Sequence, residues 1–112
     1  ILDPFPHSGG AACLEQLWMG VPIVTLYGTQ AAGRTTSSVL TCLGRLGWIA
    51  RSRDDYINSV LRQMHLLEEL TQARKTLRQE LLNSPVVSGY VSAVEKLYMK
   101  LVQEKAGALC PS

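Results

Sequence analysis

Ser8-Gly9-Gly10-Ala11-Ala12-Cys13-Leu14-Glu15-Gln16-Leu17-Trp18-Met19-Gly20-Val21-Pro22-Ile23-Val24-Thr25-Leu26 reads as a helix followed by a short buried strand. Ser8-Gly9-Gly10 opens the helix, which carries Leu14, Leu17 and Trp18 on one face and runs to about Met19, with Gly20 ending it. Pro22-Ile23-Val24-Thr25-Leu26 is then an apolar, β-rich run bounded by Gly20 and Gly28. That is the pattern of a strand covered on both faces, as in parallel sheets.

Outward from this unit the alternation continues. Upstream, Ile1-Leu2-Asp3 has the character of a strand end, stopped by Pro4 and Pro6, which cannot continue a ladder. Downstream, a helix from about Gln30 or Arg34 to Cys42 closes at Gly44, and Trp48-Ile49-Ala50 is a third short strand. Strands alternating with helices predict a parallel α/β sheet, with three short strands near 1–3, 22–26 and 47–50. Three strands are few beside the usual five or six or so. The expected fold is therefore the C-terminal portion of a doubly wound domain whose first strands precede residue 1, and a start at Ile1 rather than Met agrees with a piece of something longer. A bare edge at residues 1–3 is a template for pairing, most simply with a second copy in a homodimer.

After residue 52 the period becomes helical. Asp54 and Asp55 suit the positive end of a helix, whose apolar face is marked by Ile57, Leu61 and Met64. Leu70, Ala73, Leu77 and Leu81 mark a second helix, ended by Asn83-Ser84-Pro85. Tyr90, Val94, Leu97 and Leu101 mark a third, expected to fray near Gly107. The expected division is thus a βαβ segment over 1–52 and a helical segment of the same domain over 53–112.

Composition narrows the function classes. Of the 112 residues 46% are hydrophobic and 18% charged, which excludes a disordered tail. No apolar run approaches the ~18 residues of a membrane span, and no basic-then-apolar leader opens the chain. The net charge of +2 gives no argument for nucleic acid. It arises entirely after residue 50, since residues 1–50 carry only Asp3, Glu15, Arg34 and Arg45. Cys13, Cys42 and Cys110 are widely spaced and odd in number, which fits neither a disulfide framework nor a zinc site. His7 and His65 lack partners at metal-ligand spacing, so no metal is expected.

The site-bearing stretch is Asp3-Pro4-Phe5-Pro6-His7-Ser8-Gly9-Gly10-Ala11-Ala12. It puts a glycine turn at a helix N-terminus, outside the carboxyl end of a strand, where open α/β sheets bind ligands. Unpaired N–H groups and the helix dipole there suit a phosphate. Gly10, Ala11 and Ala12 would let a pyrophosphate approach the backbone, and Glu15, one turn on, is placed for ribose hydroxyls. The same residues also fit a plain turn with Glu15 on a solvated helix surface. His7 fits a hydrogen bond at that mouth or a capping role. Arg34, at a second helix start, fits an anion ligand or a surface salt bridge.

Leu2-Asp3-Pro4-Phe5-Pro6 with Gly9-Gly10, the run from Leu17 to Leu26, and Gly28 with Ala32, Arg34 and Ser38 resemble one known family. So do Leu40-Thr41-Cys42-Leu43-Gly44, Ile49-Ala50, Asp55-Tyr56, Ser84-Pro85 and Glu95 with Leu97 and Tyr98. The chain resembles, over nearly its whole length, the C-terminal catalytic half of O-linked N-acetylglucosamine transferases and their SPINDLY-like relatives. The resemblance implies part of a GT-B glycosyltransferase, with a Rossmann-like donor domain and tetratricopeptide repeats elsewhere in the parent. It implies a nucleotide-sugar donor such as UDP-N-acetylglucosamine, serine or threonine hydroxyls of proteins as acceptors, a cytoplasmic or nucleocytoplasmic enzyme, and neither metal nor other cofactor.

The resemblance places the family's phosphate-facing His-Thr-Thr or Gly-Thr-Thr on Gly10, Ala11 and Ala12, and its ribose-binding Asp on Glu15. Ala11 and Ala12 lack the hydroxyls, Tyr27 stands for the usual Pro and Gly33 for the usual Ser. The family's donor-contacting lysine, its acceptor-side domain and its repeats precede this segment. No catalytic residue is therefore placed in this chain, and the fragment alone is expected to be inactive. A different class of reading is a non-catalytic relative that serves as an interaction or assembly module, and a third is an unrelated small α/β nucleotide-binding protein.

Overall fold

A computed structural model describes residues 1–109, and Cys110 lies outside them. Five α-helices are present among the described residues: α1 (Ala11–Trp18), α2 (Thr35–Cys42), α3 (Arg53–His65), α4 (Leu67–Asn83) and α5 (Tyr90–Leu109). The strands β1 (Thr25–Leu26) and β2 (Ile49–Ala50) pair in parallel, Thr25 opposite Ile49 and Leu26 opposite Ala50.

The parallel sense agrees with the helix-linked alternation, but the three expected strands reduce to a two-stranded sheet. Residues 1–3 join it through a single parallel bridge of Leu2 with Val24. Asp3 N–H donates to Val24 O and Val24 N–H to Ile1 O, both at 3.0 Å. Proline sets these limits: Pro22 has no N–H for the ladder, and Pro4 stops the chain one residue after Asp3. The third run is shortened because Leu46–Trp48 coils into a 3₁₀ turn before β2.

One core joins both parts of the chain. Cys13 and Leu17 of α1, Ile23, Val39 and Leu40, and Trp48 cluster with Ala73, Leu77 and Leu81 of α4. The spacing expected of α4 is therefore the one it buries. The turn after α1 allows the close crossing with α4: Gly20 has φ 74°, and a Cβ there would meet Arg74 O at 2.5 Å. Arg78 of α4 lies over the Trp18 ring at 4.2 Å, and Arg45 reaches Glu80 with two hydrogen bonds of 2.9 and 2.6 Å.

α3 begins as its acidic first turn predicts, with Ser52 Oγ accepting Asp55 N–H at 3.1 Å. Its expected face is reversed, however. Ile57, Leu61 and Met64 are exposed, whereas Ser59 is buried and Tyr56 and Val60 are half-buried. α5 continues through Gly107 to Leu109 instead of fraying there, where Ala106 and Ala108 offset the cost of one glycine. It contributes nothing to the core cluster, and it draws the molecule out to 66 × 29 × 18 Å.

Candidate functional site

Because the strand rows are parallel, their carboxyl ends open on one side of the sheet. Three connections gather there: residues 4–10 after Asp3, residues 27–34 after β1, and residues 51–52 after β2.

Asp3 organises the first of these. Its carboxylate is 4% exposed, with Oδ1 accepting Gly9 N–H at 2.9 Å and Oδ2 accepting the Thr25 hydroxyl at 2.8 Å. Its own carbonyl accepts the Tyr56 hydroxyl at 3.0 Å. Burial first, and then the Asp3 charge, push the Tyr56 phenol above its ordinary range, so it remains a donor.

Ser8 ties this loop to the next helix. Its Oγ donates to Ala32 O at 2.9 Å and accepts Thr35 N–H at 3.1 Å. Ser8 thereby caps α2, which has no cap from its own preceding residue Arg34. Backbones pack tightly beside it. A Cβ on Gly33 would stand 2.6 Å from Pro6 O, and one on Gly28 would stand 2.7 Å from Gly33 O.

Arg34, which its sequence position fitted to an anion ligand or a salt bridge, turns its guanidinium onto the chain's own carbonyls. Its Nε donates to Gly28 O at 2.7 Å and its Nη2 to Thr29 O at 3.0 Å, so the guanidinium clamps the 28–34 turn. The same group lies over the Tyr27 ring at 4.8 Å.

The expected phosphate-facing residues come together at the start of α1. Gly10 is the N-cap, at φ 55° and ψ −128°, and no side chain caps this helix. Ala12 N–H turns back to Gly9 O at 3.1 Å and Cys13 N–H to Gly10 O at 3.2 Å, while the Gly10 and Ala11 N–H groups have no partner among the described residues. Ala11 and Ala12 are exposed, and a Cβ on Gly10 would meet nothing within 4 Å. Glu15 is exposed too, one turn along the same face as Ala11, and in no ion pair among the described residues. Of the three helix starts at the strand ends, α2 and α3 are capped by serine hydroxyls and α1 is open.

His7 lines a cleft of about 350 Å³ formed by residues 5–7 and 26–30. Cys13 faces inward. Burial first, and then the Asp3 charge, push its thiol up, so it is a core thiol. Among the described residues no group of three His, Cys, Asp or Glu side chains could hold a metal ion. No described helix is long and apolar enough to cross a membrane. Sequence reading overlooked the anchoring roles of Asp3 and Ser8, whose partners lie 22 and 27 residues away.

The chain is thus a short parallel α/β unit with an open helix start at its strand ends. Residues 2–94 match the family described as Glycosyl transferase family 41; the chain belongs to that family. It is 33% identical over 102 residues to a protein of Hordeum vulgare described as a probable UDP-N-acetylglucosamine–peptide N-acetylglucosaminyltransferase SPINDLY, covering 89% of this chain and 11% of that one. The similarly described protein of Solanum lycopersicum is 30% identical over 99% of this chain and 12% of its own length. Among solved structures, a mutant O-GlcNAc transferase of Thermobaculum terrenum is 34% identical with a TM-score of 0.87, over 97% of this chain and 21% of that one. The chain thus spans about a tenth of the curated relatives it matches.

Proposed function

We propose that this chain is the donor-binding piece of a protein O-glycosyltransferase of the GT-B type, with the Rossmann-like donor domain completed by sequence before residue 1. In this reading α1 receives the diphosphate of a nucleotide sugar such as UDP-N-acetylglucosamine at Gly10, Ala11 and Ala12, and Glu15 turns toward the ribose. The sugar passes to a serine or threonine hydroxyl of a protein held by other regions of the parent, a cytoplasmic enzyme with tetratricopeptide repeats. No metal or other cofactor takes part, because the helix dipole and basic groups carry the charge of the leaving diphosphate. The observation that carries the reading is the uncapped start of α1 beside a capped α2, in a chain of family 41.

The open N–H groups and dipole present about half a positive charge. Without hydroxyls from Ala11 and Ala12, affinity is expected near millimolar, about −4 kcal/mol. NMR titration with uridine and guanosine diphosphates tests it. Saturable shifts at residues 9–15 that Ala11→Glu abolishes support the site, and an unresponsive 9–15 segment at several millimolar ligand refutes it. The isolated chain is expected not to transfer sugar, and transfer by it would overturn the assignment of catalysis to upstream sequence.

A second reading rests on the missing hydroxyls at Ala11 and Ala12: a non-catalytic family member that serves as an interaction module. Failure of both nucleotides to bind, with the fold intact, would favour it.

A further inference from the structure

The cleft after β1 has a charged rim that the donor reading does not use. Arg34 and Arg51 both stack on Tyr27, with guanidinium carbons 4.8 and 4.5 Å from the ring centroid. Arg53 lies over Phe5 at 5.7 Å. Phe5 and Tyr27 line the cleft, so three guanidiniums lie on the two aromatic rings of its wall, outside the lining itself. None is in an ion pair, since the ion pairs among the described residues are Arg45 with Glu80 and Lys100 with Glu104.

The three cations differ in what remains free. Arg34 is held by the carbonyls of Gly28 and Thr29. The guanidiniums of Arg51 and Arg53 have no acceptor among the described residues, and both side chains belong to exposed residues. The carboxylates nearby form no ion pair with them. Asp3 is buried on Gly9 and Thr25, Asp55 accepts the backbone N–H of Arg51 at 2.8 Å, and neither Asp54 nor Asp55 forms an ion pair among the described residues. His7, Thr29 and Gln30 add polar groups to an otherwise apolar lining. Like charges gathered without counterions are unfavourable until an anion joins them, and a guanidinium fork matches an oxyanion with two parallel hydrogen bonds.

We propose that the cleft lined by residues 5–7 and 26–30 is an oxyanion subsite, where Arg51, laid on Tyr27, takes a phosphate or carboxylate group of a bound ligand. Arg34 positions Tyr27 by fixing the turn that carries it. Arg53 is the second charge at the rim. The subsite shares no lining residue with the start of α1, so its test is read at different residues from the donor reading's.

The test is amide NMR titration of the 112-residue chain with inorganic pyrophosphate and, separately, citrate, at constant ionic strength. Saturable shifts at Tyr27, Gly28, Thr29, Gln30 and Arg51 are expected. The ligand that binds more tightly identifies the oxyanion, and saturation by either supports the subsite. Arg51→Ala weakens binding about tenfold, the worth of one charged hydrogen bond. Arg51→Lys, which keeps the charge but loses the fork, falls between, and Arg62→Ala on the exposed side of α3 changes nothing. An unperturbed spectrum outside the cleft shows that each variant is folded. Absence of shifts at 27–30 with both anions, or equal weakening by Arg62→Ala and Arg51→Ala, overturns the proposal. The donor reading fails by a different result, the silence of residues 9–15 toward nucleoside diphosphates.

Discussion

Ser8 caps a helix that begins 27 residues further along the chain, its Oγ accepting the Thr35 N–H at 3.1 Å. The bond makes the loop after Asp3 and the first turn of α2 one structural unit, and leaves α1 as the open helix start. Ser8→Ala removes the cap and is expected to cost about 1 kcal/mol. Hydrogen exchange gives the specific readout: the Thr35 and Thr36 amides should speed up while those of α4 keep their rank order. Unchanged exchange at Thr35 would mean that water replaces the hydroxyl without loss.

Asp3 should be costlier to lose. Asp3→Ala strands the Gly9 N–H and the fully buried Thr25 hydroxyl, and an unsatisfied buried donor costs about 1–3 kcal/mol. Urea denaturation followed by circular dichroism should place this variant at least as far below the parent as Ser8→Ala. The double change Asp3→Ala with Thr25→Val removes one of the two stranded donors, so it should recover part of the loss.

Two glycines separate steric from conformational demand. Gly33→Ala drives a Cβ to 2.6 Å from the Pro6 carbonyl, and such overpacking costs about 1–3 kcal/mol. Gly47→Ala meets nothing within 4 Å at an ordinary backbone angle, and should be neutral or stabilising by about 0.4–1 kcal/mol through the unfolded chain. Thermal melts of the two should shift in opposite directions, and a common direction would contradict the close approach at Pro6.

The Arg45–Glu80 pair gives a pH prediction. Burial alone raises the Glu80 carboxyl, but hydrogen bonds from Arg45 and Thr76 and the guanidinium charge outweigh it and hold the group below the ordinary carboxylate range. A lowered folded-state pKa contributes stability that is complete above the unfolded value, about 4.3 for Glu, and is lost as pH falls through the folded value. With both side chains about 30% exposed, solvent screening keeps the contribution to about 1 kcal/mol or less. The parent should therefore exceed Glu80→Gln in melting temperature at pH 7, and the gap should close below about pH 4. A gap independent of pH would assign the effect to packing.

The departures at Ala11 and Ala12 can be reversed. Ala11→Thr with Ala12→Thr adds two hydroxyls at the start of α1, and should tighten nucleoside diphosphate binding about tenfold if one of them reaches a phosphate oxygen. Calorimetric titration of the double variant against the parent decides it.

What sequence reading reached was what short-range pattern encodes. The parallel pairing followed from helices between apolar runs, and the face of α4 followed from the spacing of Ala73, Leu77 and Leu81. Strand length did not, because it depends on where Pro22 and the Leu46–Trp48 turn interrupt a ladder. The face of α3 failed for a further reason: three apolar residues, Ile57, Leu61 and Met64, are exposed while Ser59 is buried. Periodicity reports where apolar residues lie on a helix, not which face the sheet covers. At the site, the glycines and Glu15 were legible as a helix start. Asp3, Ser8 and the stacking of Arg51 on Tyr27 join residues far apart in sequence, and no local motif announces them.

The 20-residue α5, none of whose side chains over residues 90–108 is fully buried, has a consequence for how the chain is cleaved. A helix without packing keeps little stability beyond its own hydrogen bonds. Lys96, Lys100 and Lys105 stand along it, all exposed. Trypsin at low dose should trim the chain from this arm first and leave a resistant piece ending before Lys100, in which α1 and α4 still interlock through Leu17 and Leu77. The trimmed piece should unfold at nearly the temperature of the whole chain, because the arm carries helical signal but almost none of the cooperative core.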